Sequence, residues 1–366
     1  MFFSRRKQMR GFMSLVDSMF SISGRPVGGA GRTFVIAEIG VNHDGSLRRA
    51  KELVALAAAC GADAVKLQIF SAAMLMHPSS QFAGYQQQQS SDADPAAMLR
   101  RFELPLPAVR ELVGFIRRHN LIPLATPFSV GDVDVIEELD LPAVKIASPD
   151  VVNRPLLERV AALGRPMIVS TGAATMEEVA LACEWARGWA CPLALLHCIS
   201  SYPTPIASAN LCWIGELAAR FAVPVGYSDH TTHGLAGAMA VMAGASIVEK
   251  HLTYDRSAAG PDHAASADPA QMGEYVRAIR MAETMRGTPG KRVLPVEQDV
   301  RTVSRQSLVC AADVRAGEML ARHHLIVQRP GTGIPAAQLS AAVGRAAVRA
   351  IASGTLLQWD MLADAA

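Results

Sequence analysis

The chain has 366 residues, of which 50% are hydrophobic and 19% charged, with a formal net charge of +2. This suits a soluble, well-packed protein with one large domain and a small one, and excludes a disordered chain. So small a net charge, with only 5% aromatic residues, gives no basis for binding nucleic acid or a membrane surface.

The first residues, MFFSRRKQMRGFMSLVDSMFSI, are basic and then apolar. Asp17 interrupts the run and no small-residue cleavage site follows, which argues against a signal peptide. Residues 1–31 are read as an extension ahead of the fold, with the pattern of an amphipathic helix. Eight β-branched or apolar runs come next: FVIAEIG (34–40), AVKLQIF (64–70), IPLATPF (122–128), AVKIAS (143–148), MIVSTG (167–172), LALLHCIS (193–200), PVGYSD (224–229) and SIVEKHLT (246–253). Helix-period segments separate them. In SLRRAKELVALAAACGAD, Ser46 can cap the start, and Leu47, Ala50, Leu53, Val54 and Ala57 form one apolar face before Gly61 ends the helix. Short buried strands alternating with helices predict a parallel sheet. Eight such units point to an α/β fold of (β/α)₈ barrel type over residues 32–286.

One connection is unusually long. Residues 71–97, rich in Gln and Ser, are expected to be either a rim or lid at the barrel mouth or a disordered insertion. A helix near 268–286 is followed by a Gly/Pro/charged linker, 287–304. In the remainder, 305–366, Gly317, Leu320 and Leu325 match Gly354, Leu357 and Leu362 in spacing. That weak repeat predicts a small β-rich domain with pseudo-symmetry, carrying Arg329 in a Gly/Pro loop. The six cysteines have no CxxC spacing and fit a reducing cytoplasm rather than a disulfide framework. No stretch is apolar and long enough to span a bilayer.

The strand ends carry the chemistry. Glu38, Lys66 with Gln68, Thr126, Lys145 with Ser148, Ser170, Ser200, Ser228 with His230, and Glu249 with His251 all stand at C-terminal ends, whereas the N-terminal ends are apolar. An active site at the mouth of a barrel predicts that polarity. Ser228 with His230, and Glu249 with His251, share strand faces. Two imidazoles on adjacent strands can hold one divalent metal with positions left open, although an isolated histidine is more often a strand cap. Lys66, Lys145 and the hydroxyls of Thr126, Ser148, Ser170 and Ser228 suit a phosphate dianion, with one of the two lysines expected to pair with a carboxylate. Neither GxxxxGK[ST] nor GxGxxG occurs, so a common nucleotide cradle is excluded. With Glu38 and Glu249 as proton carriers, the set suggests carbon–carbon bond chemistry on a phosphorylated small molecule.

AEIGVNHDGS (37–46), ADAVKLQ (62–68), TPFS (126–129), STGA (170–173), SYPTP (201–205), GYSDHT (226–231), VEKHLT (248–253) and GPDHAAS (260–266) occur in order. They resemble the sialic acid synthase family, which makes nonulosonic acids from phosphoenolpyruvate and an N-acylated hexosamine-type sugar. The C-terminal part resembles that family's antifreeze-like (SAF) domain. The resemblance implies a divalent metal on His230 and His251, Mn²⁺ with Mg²⁺ or Co²⁺ as alternatives. It implies catalytic roles for Glu38, Lys66, Lys145 and Glu249, and phosphoenolpyruvate on Lys66, Thr126, Lys145, Ser148, Ser170 and Ser228. Gln68, Asp150, Ser200, Tyr202 and Asp262 would surround the sugar, joined by Arg329 from the other chain of a domain-swapped homodimer. Pro149-Asp150 replaces the Gly-Glu usual in sialic acid members, and Ser200 a common Asn, which puts the particular sugar in question. Alternatives are another nonulosonic acid synthase, a metal-dependent aldolase or seven-carbon sugar-acid synthase, and a non-catalytic glycan- or ice-binding protein.

Overall fold

The computed structural model describes residues 19–29, 31–82 and 94–364. They contain a two-stranded hairpin of β1 (Phe20–Ile22) and β2 (Arg25–Val27). Eight parallel strands then close into a barrel in chain order: β3 (Phe34–Glu38), β4 (Ala64–Ile69), β5 (Ile122–Pro127), β6 (Val144–Ile146), β7 (Met167–Ser170), β8 (Leu193–Cys198), β9 (Val225–Asp229) and β10 (Ile247–His251). The (β/α)₈ expectation is met, with β10 pairing back onto β3.

The two-residue strand period divides the core. Val35, Ala37, Val65, Leu67, Val144, Val169, Leu195 and Val248 face the surrounding helices in one large cluster. Phe34, Ile36, Ala64, Ile122, Leu124, Ala143, Ile168, Ala194, Leu196 and Ile247 fill the lumen in a second. One step further along each strand, the same inward register turns polar. Gly226 belongs to that packed layer: a Cβ there would lie 2.4 Å from the Ile247 carbonyl oxygen and 2.6 Å from Leu196 Cδ2.

Helix α1 (Leu47–Ala59) starts at Ser46, whose Oγ accepts from the Arg49 N–H, and buries Ala50, Leu53, Val54 and Ala57. Gly61 follows in the left-handed region at φ +81. Six further helices continue the wrap: α2 (Leu106–Arg118), α3 (Val130–Glu138), α4 (Arg154–Ala161), α5 (Met176–Gly188), α6 (Cys212–Phe221) and α7 (Ala236–Met242). The last, α8 (Pro269–Arg286), opens with a reciprocal Asp268–Gln271 cap.

The expected N-terminal extension is corrected in part. Ile22 and Val27 of the hairpin are buried in the lumen cluster with Phe34 and Ile36, and the Arg25 guanidinium pairs with buried Asp63. An apolar lumen needs a cover at its N-terminal end, and the hairpin supplies it. Residues 20–27 form that hairpin and not part of an amphipathic helix; the helix expectation for residues 1–18 lies outside the described residues. So does the QQQQSSD part of the long loop; its flanks form short helices at Ala72–Leu75 and Pro95–Arg100.

The chain divides into two units between Thr288 and Pro289. In the second, β11 (Ser307–Cys310) pairs antiparallel with β12 (Leu325–Gln328), around a core that includes Leu308, Leu320, Leu325, Ile351, Leu357 and Leu362. Gly317 and Gly354 both take positive φ, +77 and +82. Each repeat therefore makes its turn with a glycine and buries its two leucines. Residues expected as linker form a helix at Gln298–Ser304. The Thr302 carbonyl accepts from the Gly331 N–H, tying that helix to the loop that bears exposed Arg329.

Candidate active site

Because each strand turns polar at its C-terminal end, the mouth is floored by charge. Lys66 Nζ lies 2.8 Å from Glu38 Oε2 and 2.9 Å from Glu249 Oε2. Lys145 Nζ donates to Ser170 Oγ at 2.6 Å and to the Ile146 carbonyl at 2.8 Å, and stands 4.0 Å from Glu249 Oε1. Ser228 Oγ donates to Glu249 Oε1 at 2.9 Å. All of these residues are at least 94% buried. Burial lowers the Lys66 pKa to about 8, against the pull of Glu249. Burial would raise Glu249, but Lys145 and Lys66 reverse that and hold the carboxyl well below its usual range.

Glu38 and Gln68 meet beside Gly40. A Cβ on Gly40 would lie 2.2 Å from Glu38 Oε1 and 2.6 Å from Gln68 Nε2, so the absent side chain is what gives them room. Thr126, next to Gln68 in the β4–β5 register, has a buried hydroxyl with no protein partner. Ser148 Oγ accepts from the Gly172 N–H at 3.0 Å. A Cβ on Gly172 would meet Ser200 Oγ at 2.3 Å, Ser148 Oγ at 2.9 Å and Cys198 Sγ at 3.0 Å. Ser200 therefore flanks the same backbone as Ser148. The turn after β8 thus brings the hydroxyl of Ser200, expected on the sugar side, close to Ser148 of the cluster expected to bind phosphate.

The two histidine rings lie 5.4 Å apart, with the Tyr202 ring 4.0 Å from His230 and 5.9 Å from His251. His230 Nδ1 is 3.0 Å from the Ile199 carbonyl oxygen. A carbonyl only accepts, so Nδ1 is the donor, and in the neutral ring Nε2 is left with the lone pair; burial disfavours the charged ring, but Cys198 and that carbonyl outweigh it and raise its pKa. His251 Nδ1 is buried without a hydrogen-bond partner, 3.6 Å from Asp262 Oδ2. Burial, reinforced by His230, keeps the His251 imidazole neutral, and burial raises the Asp262 carboxyl. The neutral His251 imidazole, with its orphan Nδ1, and the Nε2 of His230 once that ring gives up its second proton have the chemistry of divalent-metal donors. Among the described residues no three or more His, Cys, Asp or Glu side chains form a ready cage.

Asp150 sits on the turn Ser148–Val152, where its carboxylate accepts from Asn153 Nδ2 at 2.9 Å and burial raises its pKa. Arg329 belongs to the second unit. Two residues were missed. Cys198 lies 3.7 Å from His230 Nδ1 and 3.6 Å from Ser148 Oγ; it shares the inward register of Ala194 and Leu196, so the strand period held its signal. Asn42 donates to the Leu252 carbonyl at 3.0 Å and to Ser266 Oγ at 2.8 Å, linking the loops after β3 and β10. It lies in a loop, where no periodicity could mark it.

A parallel (β/α)₈ barrel with lysines, carboxylates and histidines buried at its mouth, followed by a small strand-rich unit, defines the class as a barrel enzyme with an appended domain. Residues 53–291 match the NeuB family and residues 305–363 the SAF domain, and the chain belongs to the NeuB family. It is 36% identical over 342 residues to the N,N'-diacetyllegionaminic acid synthase of Legionella pneumophila, covering 92% of this chain and 96% of that one. It is 32% identical over 306 residues to the N-acetylneuraminate-9-phosphate synthase of Homo sapiens, covering 83% and 85%. A solved N-acetylneuraminic acid (sialic acid) synthetase from Leptospira borgpetersenii, in complex with citrate, superposes with a TM-score of 0.70 at 30% identity, covering 77% of this chain and 94% of that one. These relatives are synthases, and this is a family of enzymes. No helix among the described residues is long and apolar enough to cross a membrane.

Proposed function

We propose that the protein is an N-acetylneuraminate-type synthase, condensing phosphoenolpyruvate with N-acetylmannosamine and releasing phosphate. The observation that carries this reading is the buried Lys66–Glu38–Glu249–Ser228 network, with Lys145 and Ser170 beside it, next to the histidine pair. Lys66, Lys145, Thr126, Ser148, Ser170, Ser228 and Ser200 would hold the phosphoenolpyruvate. When its phosphate arrives, the two lysines exchange protein carboxylates for a dianion, which matches their charge better. His230 and His251 would hold a divalent metal, Mn²⁺ or else Mg²⁺ or Co²⁺, which supplies Lewis acidity at the acceptor aldehyde.

The new C–C bond joins the phosphoenolpyruvate methylene carbon to the aldehyde carbon, whose C=O π pair passes to the oxygen and takes up a proton there to give a hydroxyl; the incoming water sheds one in its place. Positive charge then grows on the central carbon, where the Glu38 and Glu249 carboxylates stabilise it and direct a water. Loss of phosphate by C–O cleavage leaves the ketone, and the lysines stabilise the departing dianion. Gln68, Tyr202, Asp150 and Asp262 would surround the acceptor. The proposal includes a domain-swapped homodimer in which Arg329 reaches the other chain's acceptor.

A second acceptor, a diacetamido-trideoxyhexose, is favoured by Asp150, whose carboxylate is one methylene shorter than the usual Glu. The test is phosphate release from phosphoenolpyruvate across a panel of acylamino sugars, with and without Mn²⁺. Release that requires both sugar and metal, and is lost in His251→Ala, is expected. Full turnover by protein stripped of metal overturns the metal assignment. Asp150→Glu should shift the preference between the two sugars, because a mismatched buried polar group costs roughly 1–3 kcal/mol. Ser200→Asn should instead change the KM for phosphoenolpyruvate.

A further inference from the structure

Directly behind the histidine pair, on the outer side of the same strands, lies a second buried polar group. In the β9–β10 register Asp229 stands opposite Lys250, each one residue before a histidine. Lys250 Nζ donates to Asp229 Oδ2 at 3.1 Å and also to the Thr231 carbonyl. Asp229 Oδ1 accepts from the Thr231 N–H at 2.8 Å. From α8, the Tyr275 hydroxyl donates to Asp229 Oδ2 at 2.7 Å. Asp229, Thr231, Lys250 and Tyr275 are each at least 97% buried. The ring fits because α7 carries Gly237 where it does: a Cβ there would lie 2.5 Å from the Tyr275 Cζ.

An ion pair buried between sheet and helices is weak as a stabiliser, since apolar residues of similar volume commonly do as well. Its value lies in geometry. The bonds to Asp229 and Thr231 grip the backbone on both sides of His230, and the ammonium making them belongs to the residue before His251. Neither histidine can shift along its strand without breaking a buried hydrogen bond. We infer that Asp229, Lys250 and Tyr275 are positioning residues that set the mutual placement of His230 and His251. This rests on the reading of that pair as metal ligands.

The experiment is titration of metal-free protein with Mn²⁺, followed by the electron paramagnetic resonance signal of free Mn²⁺, alongside thermal melting without metal. The variants are Tyr275→Phe, which removes one hydroxyl and keeps the ring, and the double replacement Asp229→Leu with Lys250→Met, which leaves no unpaired charge. Second-sphere partners of metal ligands typically govern affinity by about 10–100-fold. A loss of Mn²⁺ affinity in that range is expected in folded protein, with a changed spectrum of the bound ion. A lower melting temperature with unchanged affinity in the folded variants would show a purely structural role and overturn the inference. Absence of Mn²⁺ uptake by the unaltered protein overturns the metal reading itself, and the inference with it.

Discussion

Lys66 is the cation between Glu38 and Glu249, so its replacement by methionine strands two buried carboxylates. Breaking a buried pair in this way costs roughly 3–5 kcal/mol. Lys66→Met should therefore lose stability as well as turnover, and adding Glu249→Gln should restore part of the stability but no activity. Urea denaturation of the single and double variants checks this; additive losses would contradict the coupling. His43 supports a pH prediction. Burial lowers its pKa from 6.5 to about 4 in the folded chain, and its Nδ1 accepts from the Gly45 N–H. Between those values the unfolded chain binds the proton more readily. The stability it contributes is whole above pH 6.5, falls as pH drops toward 4, and changes no further below that, by about 3 kcal/mol in all. His43→Gln should flatten this part of the profile in denaturant titrations at stepped pH. An equally steep profile in the variant would refute the assignment.

At the scale of elements, the barrel is made of strands that carry both instructions in one register: apolar at the base, polar at the mouth. The β1–β2 hairpin completes it from below. Ile22 and Val27 bury there, and full burial of such side chains stabilises by roughly 1.5–3 kcal/mol each. A chain beginning at residue 28 should unfold at clearly lower urea concentration, and Ile22→Asp should reproduce most of that loss. If both keep the parent midpoint, the hairpin is no cover for the lumen.

For the whole molecule, the second unit has its own core, including Leu308, Leu320, Leu325 and Leu357. In the proposed homodimer it completes the other chain's site. Mixing Arg329→Ala with Glu38→Ala chains should then restore activity above either parent, because one of the two mixed sites is intact. Verified subunit exchange without any gain would contradict the arrangement.

Much of this was legible in the sequence because it depends on local period. Two-residue alternation named the strands, the C-terminal polarity and residues such as Lys66 and Glu249; the spacing of Gly317 with Gly354 exposed the repeat. The order of the motifs carried the family. What the tertiary structure alone decided is which distant segments share space. Residues 20–27 have no period that announces a lumen cover; that role exists only once a barrel has an open base. Ser200 joined Ser148 because Gly172, between them in space, has no side chain. The Asp229–Lys250–Tyr275 group is invisible in one dimension, since it requires a strand register and a helix 46 residues further along the chain. Periodicity is a property of neighbours in sequence, whereas a site is made by closure, and only the closed barrel brings eight strand ends to one mouth.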